Sequence, residues 1–161
     1  MMGVIGHQLG VALAEGVDMP GIVVGVDGSE AAHRALDWAI REAGLRGAAL
    51  TVLAVHQVAS NYWTGDPELY PADQPATEAI RQAAEDAVQK AVSQAGEPGP
   101  ASVTVRAVSG LPAQELVGAS SGADLVVVGS RGGGGFSKLV LGSVSNQVVS
   151  HAACPVVVIP A

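Results

Sequence analysis

The sequence of 161 residues is poor in several residue types with easily recognised chemistry, beginning with cysteine. Cys154 is the only cysteine, so an intrachain disulfide is excluded and no thiol cluster is available for zinc. It precedes Pro155 at the start of an apolar run, where a small buried side chain is a commoner role than redox chemistry. This cysteine usage favours an intracellular protein, and we expect a cytoplasmic location.

Aromatic and charged residues are also scarce. Aromatic residues make up 3% of the chain and charged residues 14%, whereas 48% is hydrophobic. Few aromatic rings argue against a protein that stacks nucleic-acid bases, and a net charge of −7 argues against a polyanionic partner. We therefore expect no nucleic-acid partner. A mononucleotide is still compatible, because backbone amides and a metal ion can hold phosphates without a basic surface.

The first twenty residues lack the features of a targeting segment. They have no basic stretch, they carry Glu15 and Asp18, and their apolar part is too short to span a bilayer. We expect no membrane partner. The length and hydrophobic fraction suit one well-buried domain, which we place at residues 21–161 after an N-terminal extension of residues 1–20.

Motifs of several enzyme classes are missing as well. The Walker A pattern G-x4-G-K-[ST] does not occur, and the turn after the first predicted strand is VDGS rather than G-x-G-x-x-G. No G-x-S-x-G motif follows a predicted strand, and H-E-x-x-H is absent. P-loop ATPase, dinucleotide-binding, serine hydrolase and zinc enzyme functions therefore have no support.

What the chain does contain is an alternation of apolar runs and helical periodicity. The predicted strands are residues 21–26, 50–56, 103–108, 124–129 and 155–160. The predicted helices are residues 30–44, 76–95, 112–120 and 143–152. A long irregular loop, typical of a lid or mobile segment, is predicted over residues 57–75.

For three of the helices, the sequence also predicts the roles of individual side chains. His33 is expected on the outward face of the first helix, and Ser143 is expected to cap the last helix. The apolar stripe predicted for the second helix is Ile80, Ala83, Ala84, Ala87, Val88, Ala91 and Val92. The apolar face predicted for the last helix is Val144, Val148, Val149 and Ala152.

This alternation predicts an α/β fold with an open five-stranded parallel sheet and helices on both faces. The first strand ends in an acidic turn at Asp27, and the fourth ends in a glycine-rich turn at Gly129. If those two strands are neighbours, the order is 3-2-1-4-5. Ligands of such sheets bind where the strand order reverses, so we expect the site between Asp27 and Gly129.

The segment that follows the fourth strand, GSRGGGGFSKLVLGS over residues 129–143, has the outline of an anion site. Glycines allow backbone N–H groups to converge on an anion, and the N-terminus of the next helix adds donors and partial positive charge. A plain connector remains the alternative. Asp27 is open to two interpretations, a ligand contact or a helix cap, and Arg131 and Lys138 are equally open to being solvated side chains.

The glycine spacing is specific enough to suggest a family. Gly129, Gly132, Gly142 and Ser143 match G-x2-G-x9-G-[ST], and together with VGVDGS and HAACPVVVIP they resemble the universal stress protein family in its ATP-binding branch. The resemblance covers about residues 21–160 and implies a Rossmann-like fold of the adenine nucleotide alpha hydrolase type.

The resemblance also implies a ligand and a set of contacts. In that family the glycines and the serine hold the phosphates and ribose of ATP, usually with a divalent metal, here Mg²⁺ held through the phosphates. The small residue and aspartate of the opening strand match Gly25 and Asp27, and the backbone position that meets adenine matches Val55. The full set of implied ATP-binding residues is Gly25, Asp27, Val55, Val128, Gly129, Ser130, Arg131, Gly132, Gly133, Gly142, Ser143, Val144 and Ser145.

Three functions follow as hypotheses. The leading one is an ATP-binding stress-response regulator in which the nucleotide acts as a conformational switch on a protein partner, without enzymatic turnover. The second is a nucleotide-independent homodimeric scaffold built on the strand at residues 156–159. The third is a slow ATPase, for which no positioned base is recognised.

Overall fold

The computed structural model describes residues 21–57, 74–132 and 141–161. Over these ranges five strands and four helices alternate along the chain. In chain order they are β1 (Gly21–Val26), α1 (Glu30–Arg46), β2 (Ala49–Gln57), α2 (Gln74–Ala95), β3 (Ser102–Gly110), α3 (Pro112–Ser120), β4 (Leu125–Gly129), α4 (Ser143–His151) and β5 (Val156–Ile159). The predicted extension and nearly all of the predicted lid lie outside the described residues.

The strands form one parallel sheet in the order β3-β2-β1-β4-β5, which confirms the predicted topology. β1 is central, because Val24 is in register with Val52 of β2 on one side and with Val127 of β4 on the other. Its run of apolar residues is explained by this position, since a central strand with helices on both faces has no solvated side. β3 and β5 are the edge strands.

Two hydrophobic cores lie on opposite faces of the sheet. α1 and α2 cover the face that carries Ile22 and Val24, whereas α3 and α4 cover the face that carries Val23. The strand alternation divides successive valines between the two cores, because neighbouring side chains point to opposite faces. Leu36 and Ile40 of α1 are almost completely buried and lie at the centre of the larger core.

The ends of α1 follow from its flanking residues. Ser29 is extended, and its Oγ accepts a hydrogen bond from the N–H of Ala32 at 3.2 Å, which is an N-cap. Gly47 ends the helix with φ 60°, a left-handed conformation that glycine adopts without steric cost. Gly44, the last residue of the predicted helix at 30–44, instead lies inside α1 and packs against Pro98.

For three apolar residues, the burial predicted from helical periodicity is wrong. Ala83 and Val92 of α2 are exposed, and Val149 of α4 is 48% exposed. α2 covers β2 and the edge strand β3, and it buries only Ala84 and Ala91. Periodicity indicates the direction of a helix face but not the width of the surface that receives it.

None of the helices in the described ranges is both long and apolar enough to cross a membrane.

Candidate functional site

The candidate site lies at the carboxyl edge of the sheet, where β1 and β4 are neighbours. From this edge α1 passes to one face of the sheet, and α4 lies on the other. The reversal of strand order between them separates the two helices and leaves a crevice at the strand ends. The structure brings five predicted residues to this edge. Gly25 lies near the end of β1 and Asp27 directly after it, Val55 lies near the end of β2, and Val128 and Gly129 end β4.

Two of the motif glycines, ten positions apart in sequence, lie close together at this edge. The N–H of Gly142 donates a hydrogen bond to the carbonyl oxygen of Ser130 at 2.7 Å. A Cβ added to Gly142 would lie 3.5 Å from Cα of Arg131 and 3.8 Å from the amide nitrogen of Gly132. The start of α4 therefore packs directly against the backbone that leaves β4.

Asp27 reaches the same backbone from β1. A Cβ added to Gly132 would lie 2.6 Å from Oδ2 of Asp27, so no larger side chain fits there unless the carboxylate moves. The other oxygen, Oδ1, accepts a hydrogen bond from the N–H of Ser29 at 3.0 Å. Asp27 thus organises the turn before α1 while it faces Gly132, but it does not cap the helix, so the cap interpretation is wrong, and its contact with a ligand stays a prediction. The N-cap of α1 itself is Ser29.

The N-terminus of α4 differs in detail from the prediction. Ser143 is the first residue of the helix, and Gly142 is the extended cap residue, so the prediction of a serine cap is wrong. Gly142 has no side chain that could accept a hydrogen bond from the first turn. The cap therefore offers no side-chain acceptor to the first N–H groups of α4, and this positive helix end is suited to an anion.

Ser130 and Ser145 are buried, with 8% and 4% exposure, and their hydroxyl groups serve the framework. Ser145 Oγ donates to the carbonyl oxygen of Gly129 at 2.7 Å, which ties α4 to the end of β4. Ser130 accepts from the N–H of Ala161 at 3.1 Å, and its own N–H donates to the carbonyl oxygen of Ile159 at 2.7 Å. These two serines fix the position of the glycine segment, a role that the motif alone does not indicate.

Gly129 and Gly25 have packing reasons to be glycine. A Cβ on Gly129 would lie 2.8 Å from the carbonyl carbon of Ala31 in the first turn of α1. A Cβ on Gly25 would lie 3.0 Å from a methyl group of Leu116 in α3. Both small residues therefore allow a helix to approach the sheet closely beside the crevice. Their assignment to ligand contact stays a prediction.

A cleft of about 200 Å³ opens beside this segment, between the strand ends and α2. Its floor is formed by the ends of β1 and β2, including Val55, and its walls by the first half of α1 and by α2. The lining is mainly aliphatic, and its polar side chains among the described residues are Asp27 and His33. A flat apolar ring with a polar edge is the kind of group that such a cleft can take.

His33 is a residue that the sequence analysis missed, because it was assigned only to the outward face of α1. It is exposed, as predicted, but it also lines the cleft. Its Nδ1 lies 2.9 Å from the carbonyl oxygen of Ser29, one helical turn earlier. A histidine in the first turn of the helix that leaves the switch point is the signal that could have identified it.

The remaining predicted residues contribute less to the described geometry. Arg131 and Ser143 are exposed, Val128 is buried, and Val144 packs on the core between α3 and α4. Gly133 and Lys138 lie outside the described residues.

Neither a preformed metal site nor a reactive thiol is found in the described part of the chain. No group of three or more His, Cys, Asp or Glu side chains is arranged there to hold a metal ion. Cys154 lies just before β5, at the opposite edge of the sheet, and burial raises the pKa of its thiol. A raised pKa lowers the fraction of reactive thiolate, in keeping with a packing role for this residue.

Comparison with known proteins gives consistent matches. The sequence model described as the universal stress protein family matches residues 19–160. A universal stress protein of Mycobacterium tuberculosis is 38% identical over 141 residues, covering 86% of this chain and 47% of that protein. The chain spans about half the length of the curated relatives it matches.

Two solved structures share the fold and carry a nucleotide. A universal stress protein in complex with cAMP has a TM-score of 0.62 and 26% identity, covering 88% of this chain and 97% of that one. The universal stress protein of Archaeoglobus fulgidus in complex with dAMP has a TM-score of 0.52 and 28% identity, covering 88% and 97%.

Proposed function

The chain belongs to the universal stress protein family, and from this premise we propose that its crevice binds an adenine nucleotide, namely ATP together with Mg²⁺. The observation that carries the proposal is the meeting of Gly132, Gly142 and Asp27 beside an apolar cleft. Two related proteins were solved with cAMP and dAMP, which share the adenine base and differ in the sugar and in the phosphate ester.

The base is assigned to the cleft. Val55 offers its backbone at the end of β2, and the aliphatic side chains around it favour a ring that leaves water. Asp27 lies at the boundary between the cleft and the glycine segment, so the ribose is assigned next to it.

The phosphates are assigned to the glycine segment and the first turn of α4. Gly132 and Gly142 leave the backbone accessible, and the helix end contributes partial positive charge. The Asp27 carboxylate next to Gly132 would repel a polyphosphate, so a bound cation favours ATP at this site. In the absence of a side-chain cluster in the described ranges, Mg²⁺ would be held by the phosphate oxygens, with Asp27 as the nearest carboxylate.

The biological role that fits this site is regulation by occupancy. A ligand that contacts β1, β4 and α4 together stabilises their arrangement and shifts the population toward it. We assign the output to a surface for a protein partner rather than to chemistry.

Calorimetry with the full chain, ATP and Mg²⁺ tests the proposal. Gly142→Asp places a carboxylate against the backbone of residues 130–132 and should abolish binding, because it introduces negative charge where the phosphates are assigned. Gly118→Asp is the matched control, since a Cβ there meets no atom within 4 Å and the residue is exposed on α3. Absence of heat at millimolar ATP in the unmodified protein, or equal binding by Gly142→Asp, would refute it.

A homodimeric scaffold is the second candidate, and β5 is the feature that favours it. Val156–Ile159 form an apolar edge strand whose single neighbour in the described sheet is β4, and all four residues are only half-buried. A second copy paired along this edge would cover it. Sedimentation that gives a monomer at micromolar concentration, with and without nucleotide, would exclude this candidate.

A further inference from the structure

Resting on the proposed adenine site, we infer that His33 is the residue that selects the base, by accepting a hydrogen bond from the exocyclic 6-amino group of adenine. His33 lies in the first turn of α1 and lines the cleft together with Asp27 and Val55. Because it is also exposed, its ring stands at the mouth of the cleft, where the edge of an inserted base would be reached.

The hydrogen bond of the ring determines which nitrogen can accept. Nδ1 lies 2.9 Å from the carbonyl oxygen of Ser29, and a carbonyl oxygen can only accept, so Nδ1 carries the proton. In a neutral imidazole the other nitrogen, Nε2, then has a lone pair and acts as an acceptor. Nε2 lies on the ring edge away from Ser29, and in the described chain the ring has no second hydrogen bond.

The position of the ring is fixed through the same turn that orients Asp27. Ser29 accepts from His33 with its carbonyl oxygen, accepts from Ala32 with its hydroxyl group, and donates its N–H to Asp27. The same turn, through Ser29, therefore positions both the acceptor of the ring and the carboxylate at the glycine segment. A base bound between the His33 ring and Asp27 would have Nε2 of His33 at its edge, and its sugar would lie near Asp27.

An acceptor at this point discriminates between purines. Adenine carries a 6-amino donor, whereas hypoxanthine and guanine carry a 6-oxo acceptor whose lone pairs would face the lone pair of Nε2. A 6-oxo nucleotide therefore gives up the hydrogen bond that a 6-amino group makes with Nε2 and places two lone pairs against each other, which lowers its affinity. The site should therefore prefer 6-aminopurine nucleotides.

The chain contains its own matched control. His151 of α4 makes the same bond one turn back, with Nδ1 3.0 Å from the carbonyl oxygen of Gln147, and it is exposed. It does not line the cleft. If replacing His33 acts only by removing a histidine from a helix surface, replacing His151 should have the same effect.

The experiment measures calorimetric affinities for AMP and for inosine monophosphate, which differ at position 6, amino against oxo, and at N1, an acceptor in adenine and an N–H donor in hypoxanthine. Both are titrated into the full chain at mildly alkaline pH, where a histidine is ordinarily neutral. The unmodified protein should prefer AMP. His33→Phe keeps an aromatic ring without the acceptor and should weaken AMP about fivefold, the equivalent of one net hydrogen bond. It should not weaken inosine monophosphate, because the lone pair that opposes its 6-oxo group is removed.

Two further variants sharpen the result. His33→Gln has an amide that can present a donor or an acceptor, so it should bind both nucleotides with little preference. His151→Phe should leave both affinities as they are. Equal weakening of both nucleotides by His33→Phe, or no change in either, would overturn the role of His33 while the nucleotide site stands. Failure of the unmodified protein to bind either nucleotide would instead refute the site.

Discussion

Gly129→Ala tests what the end of β4 requires of its last residue. The added Cβ would lie 2.8 Å from the carbonyl carbon and 2.9 Å from the Cβ of Ala31, well inside ordinary van der Waals contact. Ala31 is 3% exposed in the first turn of α1, and the carbonyl carbon belongs to the backbone, so relief requires movement of the helix itself.

The expected magnitude follows from two opposing effects. Overpacking of this kind costs about 1–3 kcal/mol. Replacing glycine by alanine restricts the unfolded chain and returns about 0.4–1 kcal/mol where the backbone conformation is compatible. Gly129 does not have a positive φ, so the second effect applies. The net loss in the free energy of unfolding should be about 1–2 kcal/mol, or several degrees in Tm for a domain of this size.

Urea unfolding followed by circular dichroism, without nucleotide, measures this loss. Gly118→Ala is the control, because it lies in a helix, its added Cβ meets no atom within 4 Å, and alanine favours the helix by up to about 1 kcal/mol. Opposite signs for the two variants are expected. A Gly129→Ala midpoint at or above that of the unmodified protein would refute the packing argument and leave ligand contact as the reason for this glycine.

Two smaller predictions concern the same region and the opposite edge of the sheet. Ser145→Ala removes a buried hydrogen bond to Gly129 and should cost about 1–2 kcal/mol in urea unfolding, whereas Ser143→Ala should cost less than about 0.5 kcal/mol because Ser143 is not the cap. A loss of about 1 kcal/mol or more in Ser143→Ala would instead support Ser143 as the N-cap of α4. The raised pKa of Cys154 means less thiolate at a given pH, so alkylation of the folded protein should follow a curve displaced to higher pH than that of the urea-unfolded chain. The same pH dependence of alkylation in the folded and unfolded chains would contradict a raised thiol pKa.

Much of the fold could be predicted because the relevant information is local. The apolar run of residues 21–26 and the helical periodicity that follows it each specify an element through backbone and side-chain preferences that need no distant partner. The strand order required one further step, from the acidic and glycine-rich turns to a shared edge, and the sheet confirms it. The family was predictable for the same reason, since the spacing of Gly129, Gly132 and Gly142 is a property of the sequence alone.

The site could be predicted only in outline. The family resemblance implied Ser145 as a ligand contact, yet its hydroxyl group is bonded to the carbonyl oxygen of Gly129, sixteen residues away. Val149 fits a helical face, but α4 leaves it exposed. His33 carried no motif, and its place at the cleft depends on α2 closing the other side.

The sequence by itself determined the alternating elements, the parallel sheet and the family, because these depend on periodicity, turn chemistry and the spacing of glycines along the chain. Only the tertiary structure decided that Gly142 packs against residues 130–132 and that Asp27 faces Gly132. It also decided that a helix packs closely against Gly25 and another against Gly129. These are distances between segments far apart in the chain. They are set by how helices and strands pack in three dimensions, which no local pattern records.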